Sequence, residues 1–319
     1  MSSLRLHRLI NSTFLNYFLI FIFFLYSTFI IKYHYDGHHL GLLYSNALDI
    51  IKGKIPYKEV FVQYGFLTTL IHSLILLLFE NKVFFISFFG ALFYSFSVLL
   101  ISLSIKRLIN SNYGLISSII ILFNHPIPFL PWSNYIVFFF IALSIFLITD
   151  RKINYYLLGF FLSLAILSRQ ETIVPICLSF IIFCILIVNN FKKKYFTFSI
   201  KILIGFLIPI LIFFLYLLYI DIYSYWKAYL IIPTFYLDIY EKDTIKIILD
   251  FIIFFSTKSF FNFIVTPHYF LISIILFLNS ILIFLKVIKK INLPLNILYI
   301  SILSILLERI TIAASSSLL

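Results

Sequence analysis

VFFISFFGALFYSFSVLLISLSIKR, residues 83–107, runs from Val83 to Ile105 without a single charge and closes on Lys106 and Arg107. A helix of that length spans the roughly 30 Å of a bilayer's hydrocarbon core, and a basic pair at its end is a topology signal. The rest of the chain repeats this pattern. It is 63% hydrophobic and only 11% charged, too little polar surface to clothe a water-soluble domain. In hydrocarbon every backbone polar group needs an internal partner, and the runs lack the alternation of a barrel, so the sequence predicts an all-α polytopic integral membrane protein. The two cysteines, Cys177 and Cys184, lie i and i+7 in one apolar run and read as packing residues, with no disulfide framework or thiolate metal site. The net charge of +12 comes in short clusters between apolar runs, which argues for topology signals and against a nucleic-acid partner. Arg5 and Arg8 precede a first run with no small-residue cleavage site after it, so that run is expected to stay as an anchor.

Runs long enough to cross are expected at 10–31, 83–105, 114–130, 134–149, 154–167, 172–188, 200–220, 266–285 and 294–314. Phe66 to Phe79 is shorter, in the length class of a re-entrant or interfacial helix. If it does not cross, the clusters Arg5/Arg8, Lys106/Arg107, Arg151/Lys152, Lys192 to Lys194 and Lys286/Lys289/Lys290 all fall on the cytoplasmic side. The expected architecture is therefore a single membrane domain over 1–319, with about nine transmembrane helices and a re-entrant or juxtamembrane helix after the first. The N-terminus is cytoplasmic, and two long loops, 32–64 and 221–265, lie outside. They hold most of the carboxylates: Asp36, Asp49 and Glu59, then Asp221, Asp238, Glu241, Asp243 and Asp250. Within the second, Ile245 to Phe255 is too short to cross and is expected along the membrane surface.

The first outer loop carries the densest chemistry. Asp36 follows the first membrane helix by a few residues, at the water–lipid boundary where a lipid-borne phosphate would lie. Gly37 allows a sharp turn there, and His38 and His39 add imidazoles able to ligate a divalent ion or bind phosphate. The bland alternative is that Asp36 caps the helix starting near His38. From His38 to Ile51 the apolar residues follow helical spacing, and Gly53 and Pro56 end the helix. Asp49 is a second candidate ligand or a solvated polar position, and Lys54 attracts an anionic head group or is a solvated charge. The turn Leu167-Ser-Arg-Gln-Glu-Thr172 sets Arg169 and Glu171 between two apolar helices, where charge is costly. Arg169 offers a planar fork to phosphate oxygens, and the competing reading is a local Arg169 to Glu171 pair. His72 is expected at an amphipathic interface position, and Glu308 with Arg309 as a self-neutralising pair. No Walker loop, dinucleotide fingerprint, serine elbow or HExxH occurs.

Taken in order, Asp36-Gly-x-His, the segment Ala47-Leu-Asp-Ile-Ile-Lys-Gly-Lys-Ile-Pro-Tyr57, Gln63-Tyr-Gly65 ahead of a short hydrophobic helix, and the later Ser-Arg-Gln-Glu turn resemble the GT-C superfamily. These are polytopic glycosyltransferases of the dolichyl-phosphate-mannose mannosyltransferase and aminoarabinose-transferase type. The resemblance covers roughly the first 175 residues, and beyond them hydropathy alone. It implies a GT-C-like fold; members usually run longer and often carry a soluble outer domain, so this chain is expected to be a fragment, a minimal, shortened member or an inactive relative. It also implies a polyprenyl-phosphate-linked sugar as donor and inverting transfer to a glycan, lipid or protein acceptor on the non-cytoplasmic face. Asp36 maps onto the family's catalytic aspartate, as acceptor base or metal ligand. Many members have two acidic residues in a row there, whereas Gly37 follows here. Arg169 maps onto the basic residue that binds lipid phosphate. His38, His39, Asp49, Lys54, Tyr57, Gln63, Tyr64 and Glu171 complete the candidate substrate-binding set, and Asp36 with His38 the candidate ligands for a divalent magnesium or manganese ion.

The expected chemistry is attack of an acceptor hydroxyl on the sugar carbon bearing phosphate, with Asp36 taking the proton and Arg169 or a metal stabilising the leaving phosphate. The rivals are a transporter or flippase for a lipid-linked sugar and a non-catalytic membrane subunit. Transporters place polar or broken helices near the bilayer midplane, whereas here the charges gather at one face. The expected location is a bacterial inner membrane, with the active side periplasmic or extracellular in the cell envelope.

Overall fold

The computed structural model describes residues 2–226 except 34–38, 63–64, 81, 124–132, 151, 174–175 and 178–192. The expected runs at 266–285 and 294–314, nearly all of the second long loop and most of the run 172–188 lie outside the described residues. Regular structure among the described residues is helical, with one isolated bridge between Pro56 and Val60. The main helices are α1 (Ser2–Ile31), α2 (His39–Ile51), α3 (Phe66–Leu78), α4 (Phe84–Leu108), α5 (Ser111–Phe123), α6 (Ser133–Ile148), α7 (Tyr155–Ser168), α8 (Lys193–Ile220) and the short α9 (Ile222–Trp226). Three described segments are long and apolar enough to cross a membrane: Ser12–Ile31, Phe84–Leu108 and Thr197–Ile220. The apolar helices α5, α6 and α7 are shorter.

Pairwise contacts set the directions. At one end Ser12 Oγ donates to Ser111 Oγ at 2.9 Å and Asn16 Nδ2 to Ser102 Oγ at 2.7 Å, while Phe24 meets Phe88 at the other end, so α1 and α4 are antiparallel. Tyr94 meets Tyr135 and Arg107 donates to the Phe146 carbonyl, so α4 and α6 run parallel. Tyr155 stacks on Phe198 at 4.3 Å and Leu167 clusters with Phe213 and Leu217, so α7 and α8 also run parallel.

Lipid gives apolar side chains no reason to leave it, so helices associate through close packing and buried hydrogen bonds. Both occur here. Gly159 and Gly205 bring α7 and α8 together so closely that a Cβ on Gly159 would lie 1.9 Å from the Ile202 carbonyl oxygen, and one on Gly205 2.0 Å from that of Tyr156. Several buried serines bond back to their own helices, as Ser97 to the Phe93 carbonyl and Ser144 to that of Phe140, and these add no unmet donor. The basic pair sits at the end opposite the first long loop: Lys106 donates to Thr13, and Arg107 lies 3.8 Å from Asp150.

The described helices reach different levels. Tyr135, in the first turn of α6, meets Tyr94, ten residues after the start of α4, so α4 reaches about 12 Å past the first described residue of α6. Likewise α8 continues past Phe213, the level of Leu167, by about 10 Å. α3 packs against α7 and α4, and the loop between α2 and α3 is tied to the turn after α7 and to α8. α2 ends in a glycine motif: Gly53, in the left-handed region at φ 89°, donates to the Ile50 carbonyl and Lys54 to that of Asp49. α3 starts against Ser168 at the end of α7 and finishes with Phe79 stacked on Phe85, in the first turn of α4, at 4.2 Å. Both ends of α3 thus stay on the side of the bundle away from Lys106 and Arg107. Ala47, Leu76 and Ile86, all buried, join α2, α3 and α4.

Candidate functional site

α7 ends at Ser168, Arg169 turns extended, and Gln170–Thr172 forms one turn of 3-10 helix. Thr172 closes that turn, its hydroxyl donating to the Arg169 carbonyl at 2.7 Å. The Arg169 guanidinium donates to the side-chain oxygen of Asn134 in the first turn of α6. Gln170 Nε2 donates to the Tyr57 hydroxyl at 2.8 Å, joining the turn to the first long loop across 113 residues of sequence.

Tyr57 is the keystone of that loop. Its backbone is left-handed at φ 69°, a strained state for a tyrosine. Its ring is buried among Phe66, Phe213 and Tyr225, with centroids 6.1, 6.1 and 5.0 Å away, which offsets the strain. Neighbouring bonds fasten the loop on both sides. Tyr216 of α8 donates to the Pro56 carbonyl at 2.9 Å, and Asn46 of α2 to that of Phe61 at 2.7 Å. Within the loop, the Glu59 carboxylate accepts from the Ile55 amide at 2.7 Å.

Beside this turn α3 and α7 meet in a close seam. The Thr68 hydroxyl donates to the Ser168 carbonyl at 2.7 Å. Gly65 fits because it has no side chain: a Cβ there would lie 2.1 Å from the same oxygen.

Of the residues singled out from sequence, the structure brings Tyr57 together with the turn that carries Arg169. Asp49 is paired instead with Lys54 at 2.9 Å at the end of α2, both side chains partly exposed. His39 opens α2, and Glu171 lies within the 3-10 turn; the side chains of both fall outside the described residues, as do Asp36, His38, Gln63 and Tyr64. The local Arg169 to Glu171 pair is therefore untouched by the geometry, whereas a bond from Arg169 to Asn134 is present. No three His, Cys, Asp or Glu side chains gather among the described residues, and both candidate metal ligands, Asp36 and His38, lie outside them. No step below is routed through a metal.

Sequence reasoning missed Asn134, Gln170 as a bridge, Thr68, and the Tyr216 and Tyr225 contacts. Asn134 had one available signal, a polar residue opening an apolar run opposite an arginine-bearing turn. Scans against family models and searches of curated proteins and of solved structures find no match to this chain.

Proposed function

We propose that the chain is a membrane glycosyltransferase that moves a sugar from a polyprenyl-phosphate donor to an acceptor hydroxyl on the non-cytoplasmic face, with inversion. One observation carries the reading: an arginine turn set among apolar helices is joined, through Gln170 and Tyr57, to the loop that follows the first membrane helix. Such a polar junction between lipid-facing helices marks a functional site by default. In this reading Asp36 removes the acceptor proton as its oxygen attacks the anomeric carbon, and Arg169 holds the phosphate that departs on the polyprenol. The bidentate fork of arginine suits phosphate oxygens, and the low-dielectric surroundings strengthen it.

The proposed topology is about nine crossings with the N-terminus cytoplasmic and the 32–64 loop outside, in a bacterial inner membrane. Both ends of α3 lying on one side of the bundle support it, because a crossing α3 would invert everything after it. To test the activity, membranes carrying wild-type protein or Asp36→Asn receive radiolabelled polyprenyl-phosphate sugar. Label transfer by the wild type, lost in Asp36→Asn at equal protein level, supports the enzyme. Absence of transfer from every donor overturns it in favour of a carrier of lipid-linked sugar or a non-catalytic subunit.

A further inference from the structure

Tyr57 carries a hydroxyl that its packing does not call for. A phenylalanine ring would fill the space among Phe66, Phe213 and Tyr225 as well. The residue is nevertheless a tyrosine held at φ 69°, and Gln170 Nε2 donates to its hydroxyl at 2.8 Å. Backbone strain of this kind persists only where the surroundings over-determine it, and it gathers where a side chain has to be aimed. The same contacts take Tyr57 out of the substrate-binding set. Its ring is closed in by three others, only 4% of the residue is exposed, and its hydroxyl is engaged within the protein.

On one side of this hydrogen bond stands the turn that carries Arg169. Gln170 opens the 3-10 helix and directly follows Arg169. The Arg169 side chain is bonded to Asn134 of α6 and the Gln170 side chain to Tyr57, so two successive residues tie one stretch of backbone to two different elements. On the other side the loop is itself anchored, to α2 through Asn46 and to α8 through Tyr216. A single neutral hydrogen bond adds little to stability, but here it sets where the turn sits relative to a loop that two helices hold in place.

We propose that Tyr57 and Gln170 are positioning residues of the transferase: their hydrogen bond fixes the turn that presents Arg169, and they act through Arg169 rather than on the substrate. The inference rests on the reading of Arg169 as the group that holds the departing phosphate, and it deepens that reading by naming what aims the guanidinium. Charge on the phosphate oxygens grows as their bond to the sugar breaks. An arginine displaced by even about 1 Å therefore loses more in the transition state than in the complex with bound donor.

Two measurements on the full chain test this. In membranes supplied with radiolabelled polyprenyl-phosphate glucose, mannose and aminoarabinose, Tyr57→Phe and Gln170→Leu should each lower the maximal rate per protein molecule by about tenfold to hundredfold, while the donor KM moves by less than about threefold. The double variant should be no slower than the worse single one, because both break the same link. Tyr216→Phe is the control. It removes a hydrogen bond to the same loop but not the one to the turn, and should leave the rate within about twofold of wild type. Equal slowing in all three variants makes the bonds merely structural and overturns the proposal, as do undiminished rates in Tyr57→Phe and Gln170→Leu. The second measurement needs no substrate. In detergent, hydrogen exchange of the backbone amides in a peptide covering residues 54–62 should quicken by about fivefold to tenfold in Gln170→Leu, although the substitution lies 113 residues from Tyr57 in the sequence. Unchanged exchange overturns the link whatever the activity. Quickened exchange with no transfer by the wild type from any donor sinks the transferase and the positioning role with it, leaving the link alone. Transfer by the wild type that both variants match sinks the positioning role and leaves the transferase standing.

Discussion

Replacing Gly65 with alanine probes the seam on which the site is built. The new Cβ would lie 2.1 Å from the Ser168 oxygen, 2.5 Å from its carbonyl carbon and 2.9 Å from the Leu167 oxygen, all backbone atoms that cannot rotate away. Ordinary contact begins at 3.4 Å, so α3 and α7 must part by about 1.3 Å. The Thr68 to Ser168 hydrogen bond, now 2.7 Å, would then stretch to about 4 Å and be lost. Losing that bond costs about 1 kcal/mol and overpacking a tight contact about 1–3 kcal/mol more, so the total is on the order of 2–4 kcal/mol. Gly41 supplies the control. It sits within α2 with nothing inside 4 Å of where a Cβ would lie, and alanine is the better helix former, so Gly41→Ala should hold or raise stability. Thermal unfolding of detergent-purified protein should show Gly65→Ala melting lower by several degrees while Gly41→Ala does not. Equal melting temperatures for the two variants would refute the close approach of α3 to α7, and with it the placement of Arg169 beneath the loop.

Three further predictions address the neighbouring contacts. A double-mutant cycle with Tyr57→Phe and Gln170→Leu should return a coupling of about 0.5–1.5 kcal/mol in unfolding free energy, and additivity would show the hydrogen bond contributes nothing. Gly159→Ala and Gly205→Ala should each reduce the folded fraction in detergent, and together less than additively, since either one forces the same pair of helices apart. Lys54→Ala should change stability by less than about 1 kcal/mol in a denaturation series, because its partly exposed pair with Asp49 is screened by water; a loss of several kcal/mol would give that pair a role its exposure does not predict.

Much of the helical layout was legible from hydropathy. The runs at 134–149 and 154–167 reappear as Ser133–Ile148 and Tyr155–Ser168, and the helix from His38 stops at Gly53 as expected. Charge spacing also argued that Phe66 to Phe79 does not cross, and α3 has both ends on one side of the bundle. Of the expected crossings, three described helices are long enough to span, whereas the described parts of α5, α6 and α7 are shorter. The site was half legible. A costly arginine in a tight apolar turn announced itself, but its partner Asn134 is 35 residues away, and a polar residue opening an apolar run does not say which distant side chain it meets. His72, expected at an amphipathic interface, is instead buried on the bundle-facing side of α3.

By itself the sequence determined the solvent and the secondary structure of this protein: a chain so apolar must satisfy its backbone internally, and helices do so residue by residue from local hydrogen bonds. Tertiary structure alone decided which polar groups meet. Gln170 reaches Tyr57, Arg169 reaches Asn134, and Gly65 lies against Ser168, because the packing of α3, α6, α7 and α8 brings the first loop onto the turn after α7. Those pairings depend on relative helix lengths and directions, which only packing sets.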